Sequence, residues 1–289
     1  MTREELLKRA RNAYRVKDYE VAERLTGEIL EKYPHSTSAL LLRGTIYANQ
    51  KRYPAAVRAF EEAVESDPDN VEAYNNLAVV YRQSGDMERA VENARRALEL
   101  SGGRADIHYN LGNILKSVGK ETDAIRSYES AIEADPSMVL AYNNLGTLYE
   151  GRGEVDEAIR VFEEGLKQDP NHPTLQYNLA NCYQAKGELP AARERYENAL
   201  RSRPGWVDSL NNLAIVLDKL EDSDHSIEAF QEIITIDPNN PLAHNNMGTV
   251  LAKQGRSEEA AEAFQKALQH KPKYSRAAAN LGQVLENSP

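Results

Sequence analysis

Residues 139–172 read VLAYNNLGTLYEGRGEVDEAIRVFEEGLKQDPNH, and the spacing inside this stretch decides the fold. Tyr142, Leu145, Gly146 and Tyr149 fall at i, i+3, i+4 and i+7, one face of an α-helix. A second helical stripe follows after a short break, carried by Ala158 and Phe162. Asp169-Pro170 closes it, because proline disfavours the helical conformation in the residue before it. Two short helices and a turn in 34 residues are too little to bury an apolar stripe alone, so copies of the unit are expected to stack.

Working outward, the copies are there. Pro34, Pro68, Pro136, Pro170, Pro204, Pro238 and Pro272 lie on one 34-residue grid whose empty point is Gly102. The units are 3–36, 37–70, 71–104, 105–138, 139–172, 173–206, 207–240 and 241–274, with a capping half-unit over 275–289. Numbering each unit from 1, position 8 is Ala or Gly in all nine first-helix segments, from Ala10 to Gly282. A residue that small predicts close approach of two helix backbones. The second helix carries its stripe at positions 20, 24 and 27, as in Ala56, Phe60 and Ala63, or Ala260, Phe264 and Ala267. Turns such as Gly119-Lys120 and Gly187-Glu188 suit a left-handed helix cap. Gly102-Gly103 stands where Asp-Pro is usual, and reads either as a hinge or as an altered cap. In the half-unit, Ala277, Ala278, Leu281, Val284 and Leu285 are expected to cover the last exposed helix pair.

These residues resemble the tetratricopeptide repeat, whose signature W-x2-L-G-x2-Y, A-x3-F and P spans the same length. Tyr142, Leu145, Gly146, Tyr149, Ala158, Phe162 and Pro170 follow it closely, and the resemblance covers essentially the whole chain. It implies an all-α, right-handed superhelical solenoid of antiparallel helix pairs, a single solenoid over 1–289, with first helices lining the concave wall. Departures are local: Arg9 and Ala13 in the first unit, Ala94 in the third, Glu221 and Ser226 in the seventh. The fold serves many partners and fixes no function by itself.

On a helix advancing 100° per residue, positions 2, 6, 9 and 13 lie about half a turn from the packing stripe. Position 6 is Asn76, Asn110, Asn144, Asn178, Asn212, Asn246 and Asn280 in succession. Position 9 adds Asn113, Asn181, Thr147, Thr249 and Gln283; position 5 adds Asn75, Asn143, Asn211 and Asn245, with Tyr109 and Tyr177 interspersed. Asparagine is a poor choice for an idle helix surface, since its side chain competes for backbone hydrogen bonds. Its carboxamide offers the donor and acceptor of a peptide group. The column therefore reads as a groove holding an extended polypeptide by its main chain, with Tyr109, Tyr177 and Trp206 adding selectivity. The other reading is that the asparagines bond to neighbouring helices and steady the stack. The column resembles the asparagine ladder in the tetratricopeptide region of the O-linked N-acetylglucosamine transferases, which holds extended polypeptide. Lys8 and Leu42 interrupt it in the first two units, so the groove is expected to begin near residue 71.

Position 2 carries Glu72, Asp106 and Asp208, which read either as acceptors for basic ligands or as first-turn helix-dipole partners. The basic clamp with which another branch of the family grips a C-terminal carboxylate is missing from the asparagine-bearing segments. Trp206 reads as a binding anchor or as a wedge between units. His108 and His244 fall on the packing stripe and read as core residues. The lone Cys182 reads as a buried filler, cannot pair within the chain, and calls for no oxidising compartment.

Composition narrows the function classes. A net charge of −10 with mean hydropathy −0.64 argues against grip on a nucleic-acid backbone. No run of 18 apolar residues offers a membrane span, and the charged opening MTREELLKRARN lacks a secretory signal's apolar core. No paired cysteines, HExxH or phosphate loop stands out, so neither a metal nor a cofactor is expected. The expectation is a non-enzymatic, cytoplasmic protein, or a fragment of one, that binds a protein or peptide segment. The alternatives are the substrate-recognition arm of a larger glycosyltransferase and a self-assembling scaffold, a homo-oligomer.

Overall fold

The computed structural model describes residues 1–286, and no strand occurs among them. Their contacts fall into two compact units, Met1–Ala141 and Tyr142–Pro289. The first holds α1 (Arg3–Arg15), α2 (Tyr19–Lys32), α3 (Thr37–Asn49), α4 (Tyr53–Ser66), α5 (Val71–Ser84), α6 (Met87–Ser101), α7 (Ala105–Ser117) and α8 (Glu121–Ala134). The division falls inside α9 (Val139–Gly151). The second continues with α10 (Val155–Gln168), α11 (Pro173–Lys186), α12 (Leu189–Ser202), α13 (Val207–Lys219), α14 (Ser223–Ile236), α15 (Pro241–Lys253), α16 (Ser257–His270) and α17 (Ser275–Glu286). Each unit is an all-α stack of antiparallel helix pairs, one pair per 34-residue repeat.

Local chemistry sets the boundaries. Asp67, Asp135, Asp169 and Asp237 stand as C-caps in extended conformations, each followed by its proline. Two residues later a new cap forms: Asn70 Oδ1 accepts from Ala73 N at 2.9 Å, and Asn240 Oδ1 from Ala243 N at 3.0 Å. Between the helices of a pair, position 15 takes a positive φ in all eight repeats. It is glycine at Gly85, Gly119, Gly153, Gly187 and Gly255, but Lys17, Lys51 and Glu221 adopt the same left-handed turn at φ 60–63°. Gly102 caps α6 at φ 68° and Gly103 follows at φ 94°, so the pair forms an altered left-handed cap.

The small residue at position 8 is explained by its neighbour at position 24. A β-carbon on Gly44 would lie 2.5 Å from the Phe60 ring, and one on Gly112 would lie 2.6 Å from Tyr128; Gly146 meets Phe162 in the same way. Aromatic rings seat directly on the facing backbone.

A second buried face was not anticipated. Position 3 (Ala39, Ala73, Ile107, Ala141, Leu175, Ser209, Ala243, Ala277) is buried throughout, as is position 10 from Ile46 to Val284. This face packs against the preceding repeat: a β-carbon on Gly165 in α10 would touch Leu175 in α11. A first helix that has both a preceding repeat and a second helix of its own thus serves two partners. The distinction corrects the expected cap. In α17, Ala277 and Val284 are buried and Leu281 packs partly against the same core. Ala278 and Leu285 point to solvent, Leu285 at 57% exposure, because they belong to the stripe that needs a second helix of its own repeat.

Candidate functional site

The asparagines are wired to one another in a repeating register. Position 6 donates to position 5 of the preceding repeat: Asn110 Nδ2 to Asn75 Oδ1 at 2.9 Å, Asn178 to Asn143 at 3.0 Å, Asn246 to Asn211 at 3.4 Å, Asn280 to Asn245 at 3.3 Å. Where position 5 is tyrosine the rung persists, Asn212 Nδ2 lying 3.3 Å from the Tyr177 hydroxyl. Within a repeat, position 5 donates onward to position 6, from Asn143 to Asn144, Asn211 to Asn212 and Asn245 to Asn246, at 3.3, 3.3 and 3.1 Å. Asn76 has Leu41 in the partner's place and makes no such rung.

The two columns differ in exposure. Asn75 and Asn245 are buried at position 5, and their amides serve the ladder. All seven position-6 asparagines are half-buried. A carboxamide has two donor hydrogens and room for two accepted bonds. Asn178 uses one hydrogen, and Asn246 one hydrogen and one acceptor site. Asn212 divides both hydrogens between Tyr177 and Asn181. The column therefore bonds along the stack while Asn178 and Asn246 leave part of their hydrogen-bonding capacity unused.

Asn113 and Asn181 are a different case. Their Oδ1 atoms lie 2.8 Å from the Tyr128 hydroxyl and 2.6 Å from the Tyr196 hydroxyl, and each of these phenols belongs to the second helix of the same repeat. Position 9 is asparagine in the two repeats that place tyrosine at position 24, threonine where Phe60, Phe162 and Phe264 stand there, and Ile215 opposite Phe230. Each asparagine thereby satisfies a tyrosine hydroxyl of the core, and the Tyr196 hydroxyl also lies 2.6 Å from Gln184 Oε1. That pairing was visible in the sequence.

Tyr109 packs on Tyr128 at 6.0 Å between ring centroids. Tyr177 lies between Tyr196 at 5.9 Å and Trp206 at 4.5 Å, and the Arg203 guanidinium sits 4.5 Å from the Trp206 ring centroid. Trp206 is the half-buried N-cap of α13, a wedge with one open side. At position 2, Arg104 holds both Glu72 (2.7 Å) and Asp106 (2.9 Å), so these acids already have a cation. Asp208 borders an open pocket of about 200 Å³ with Tyr177, Asn211 and Asn212. A larger one of about 580 Å³ is lined by Asn211, Asp218, Leu242, Asn246, Arg276 and Asn280. Amide, apolar and charged side chains line both pockets, which share Asn211 and Leu242.

Of the remaining candidates, His244 and Cys182 are buried and His108 is half-buried. His244 is buried with Nε2 2.9 Å from the Pro238 carbonyl oxygen, and burial lowers the pKa of His108. Cys182 is buried at position 10, and burial, helped by the charge of Glu150, pushes its thiol up to about 12. Among the described residues no group of three His, Cys, Asp or Glu side chains could hold a metal ion, and no helix is long and apolar enough to cross a membrane.

Sequence models described as tetratricopeptide repeat match residues 7–69, 49–105, 109–173, 150–213, 207–240 and 241–274. Comparison with curated proteins gives no significant match. Among solved structures, the chain is similar to the C-terminal part of a TPR repeat-containing protein from Cytophaga hutchinsonii, at 17% identity and TM-score 0.72 over 83% of this chain and 99% of that one. It is similar to YrrB, described as a TPR protein with an unusual peptide-binding site, at 24% identity and TM-score 0.60 over 66% and 98%. MamA follows at 26% identity and TM-score 0.51, over 55% of this chain and 93% of that one.

Proposed function

The chain belongs to the tetratricopeptide repeat family, and from that premise we propose that it is a non-enzymatic scaffold holding an extended polypeptide segment on the asparagine-bearing face of its first helices. The observation that carries this reading is the half-used state of the column. Asn178 and Asn246 are fixed by ladder bonds yet leave part of their amide capacity unused on half-buried side chains. Fixing the carboxamides beforehand lowers the entropy lost on binding. A peptide main chain has matching donors and acceptors whatever its sequence, which suits a scaffold with several clients. The face has the character of the ladder of O-linked N-acetylglucosamine transferases, and YrrB, which shares the fold, has a peptide-binding site. A buried lone cysteine is compatible with a cytoplasmic setting.

The test begins with a displayed library of random 15-residue peptides selected on the intact chain. A fluorescein-labelled peptide from that selection is then titrated by anisotropy against wild type and against the double variant Asn178→Ala, Asn246→Ala. Two lost hydrogen bonds at about 1 kcal/mol each correspond to an affinity loss of roughly tenfold to thirtyfold. Equal affinity, with a cooperative melt retained, refutes the groove.

A further inference from the structure

Position 12 of a first helix meets position 13 of the next in two places, and these set the register expected of Glu150 and Ala185. Asn49 Nδ2 donates to the Tyr14 hydroxyl at 3.0 Å. Lys253 Nζ reaches Asp218 Oδ2 at 2.5 Å. Glu150 holds the same place in α9, and the residue that should answer it in α11 is Ala185. A methyl group neutralises nothing.

The neighbouring cations are engaged elsewhere. Lys186 is shared by Asp156 at 2.9 Å and Glu188 at 3.0 Å, and Arg152 pairs with Glu154 at 2.7 Å. The Glu150 carboxylate makes no hydrogen bond or ion pair among the described residues. It is half-buried, and desolvation raises its pKa above the ordinary carboxylate value. Its charge bears on the Cys182 thiol and the Tyr196 phenol. Ala185, its register partner, lies one helical turn beyond Asn181, whose Oδ1 is 2.6 Å from the Tyr196 hydroxyl and 3.2 Å from Asn212 Nδ2. A partly desolvated carboxylate without a counter-charge is costly, and the cost is relieved when a cation arrives from outside.

We propose that Glu150 is the acceptor for a lysine or arginine side chain of the bound segment, a fixed side-chain preference on a face that otherwise grips main chain. The inference rests on the groove reading above. It supplies what a ladder of amides lacks, since amides hold any sequence in any register, whereas one half-buried charge fixes the register. The position-2 acids Glu72 and Asp106 cannot take this part, because Arg104 already occupies them.

Two variants test the assignment. Glu150→Gln removes the charge and keeps the shape. Ala185→Lys, at an exposed position, installs the partner that Lys253 gives Asp218, so that the site is filled from within. The random 15-residue library is selected in parallel on wild type and on both variants, and the recovered peptides are sequenced. Wild type should enrich lysine or arginine at one register, both variants should lose that enrichment, and a wild-type-selected peptide should bind each about tenfold more weakly. Binders recovered from all three proteins with the same lysine and arginine content overturn the role of Glu150 and leave the groove standing. Failure to recover binders from any of the three overturns both.

Discussion

At the scale of single residues, the backbone asks the same thing of position 15 in every repeat, and the sequence answers it in two ways. Five repeats place glycine at the left-handed turn; Lys17, Lys51 and Glu221 reach φ 60–63° with a side chain attached. An L-residue is disfavoured in that region by roughly 1–2 kcal/mol, and glycine's freer unfolded chain returns part of that difference. Glu221→Gly is therefore expected to stabilise the protein by about 0.5–1 kcal/mol in urea unfolding; no change or a loss contradicts the reading. The glycine turn was legible from Gly119 and Gly187, but the non-glycine turns were not, since nothing in a lysine announces positive φ. The small residue at position 8 was equally legible. What it receives, an aromatic ring seated on backbone, emerges once Gly146 and Phe162 face each other. Asn113 and Asn181 teach the opposite lesson. They share a face with the column, and each also coincides with a tyrosine at position 24 whose hydroxyl it bonds, a pairing that the column alone does not show.

At the scale of the element, a first helix has three faces, and periodicity in one repeat revealed two. The stripe at positions 4, 7, 8 and 11 meets the helix's own partner, and the asparagine stripe faces away. Positions 3 and 10 meet the preceding repeat, and alanine, serine, valine or cysteine there look unremarkable until the columns are aligned. α17 separates these roles: lacking a second helix of its own among the described residues, it buries Ala277 and Val284 and leaves Leu285 open. Cys182 tests the hidden face. Its thiol, raised to about 12 by burial and then by Glu150, holds little thiolate at pH 8. Labelling by a disulfide reagent at pH 8 should run about a thousandfold slower in the native protein than in urea. Comparable rates mean that position 10 of α11 is not packed. The same dependence orders the pH response: the thiolate fraction rises with pH, so native labelling should accelerate from pH 7 to pH 9.

At the scale of the molecule, the 34-residue grid made the repeat architecture plain from Pro34 to Pro272. The grid runs without interruption past Ala141 and Tyr142, so nothing in the sequence marks the division of contacts into two units. The candidate site was legible as a column of asparagines, but its wiring was not. Rungs such as Asn178 to Asn143 join residues 35 apart, one beyond the repeat, and depend on how neighbouring helices are offset. Glu150 escaped notice for the same reason, since its isolation is a property of that offset and not of its own repeat. A ladder that grips main chain has a consequence for any bound segment: its backbone should matter more than its side chains, apart from a cation facing Glu150. The most direct measurement is the affinity of a library-selected peptide compared with versions N-methylated at successive residues and with an alanine scan of the same peptide. Methylation removes a main-chain donor without changing a side chain, and at contacting residues should weaken binding about tenfold each, while most alanine substitutions change it less than threefold. An N-methylated series that binds as well as the parent, with affinity carried by the alanine scan, contradicts main-chain recognition by the asparagine column.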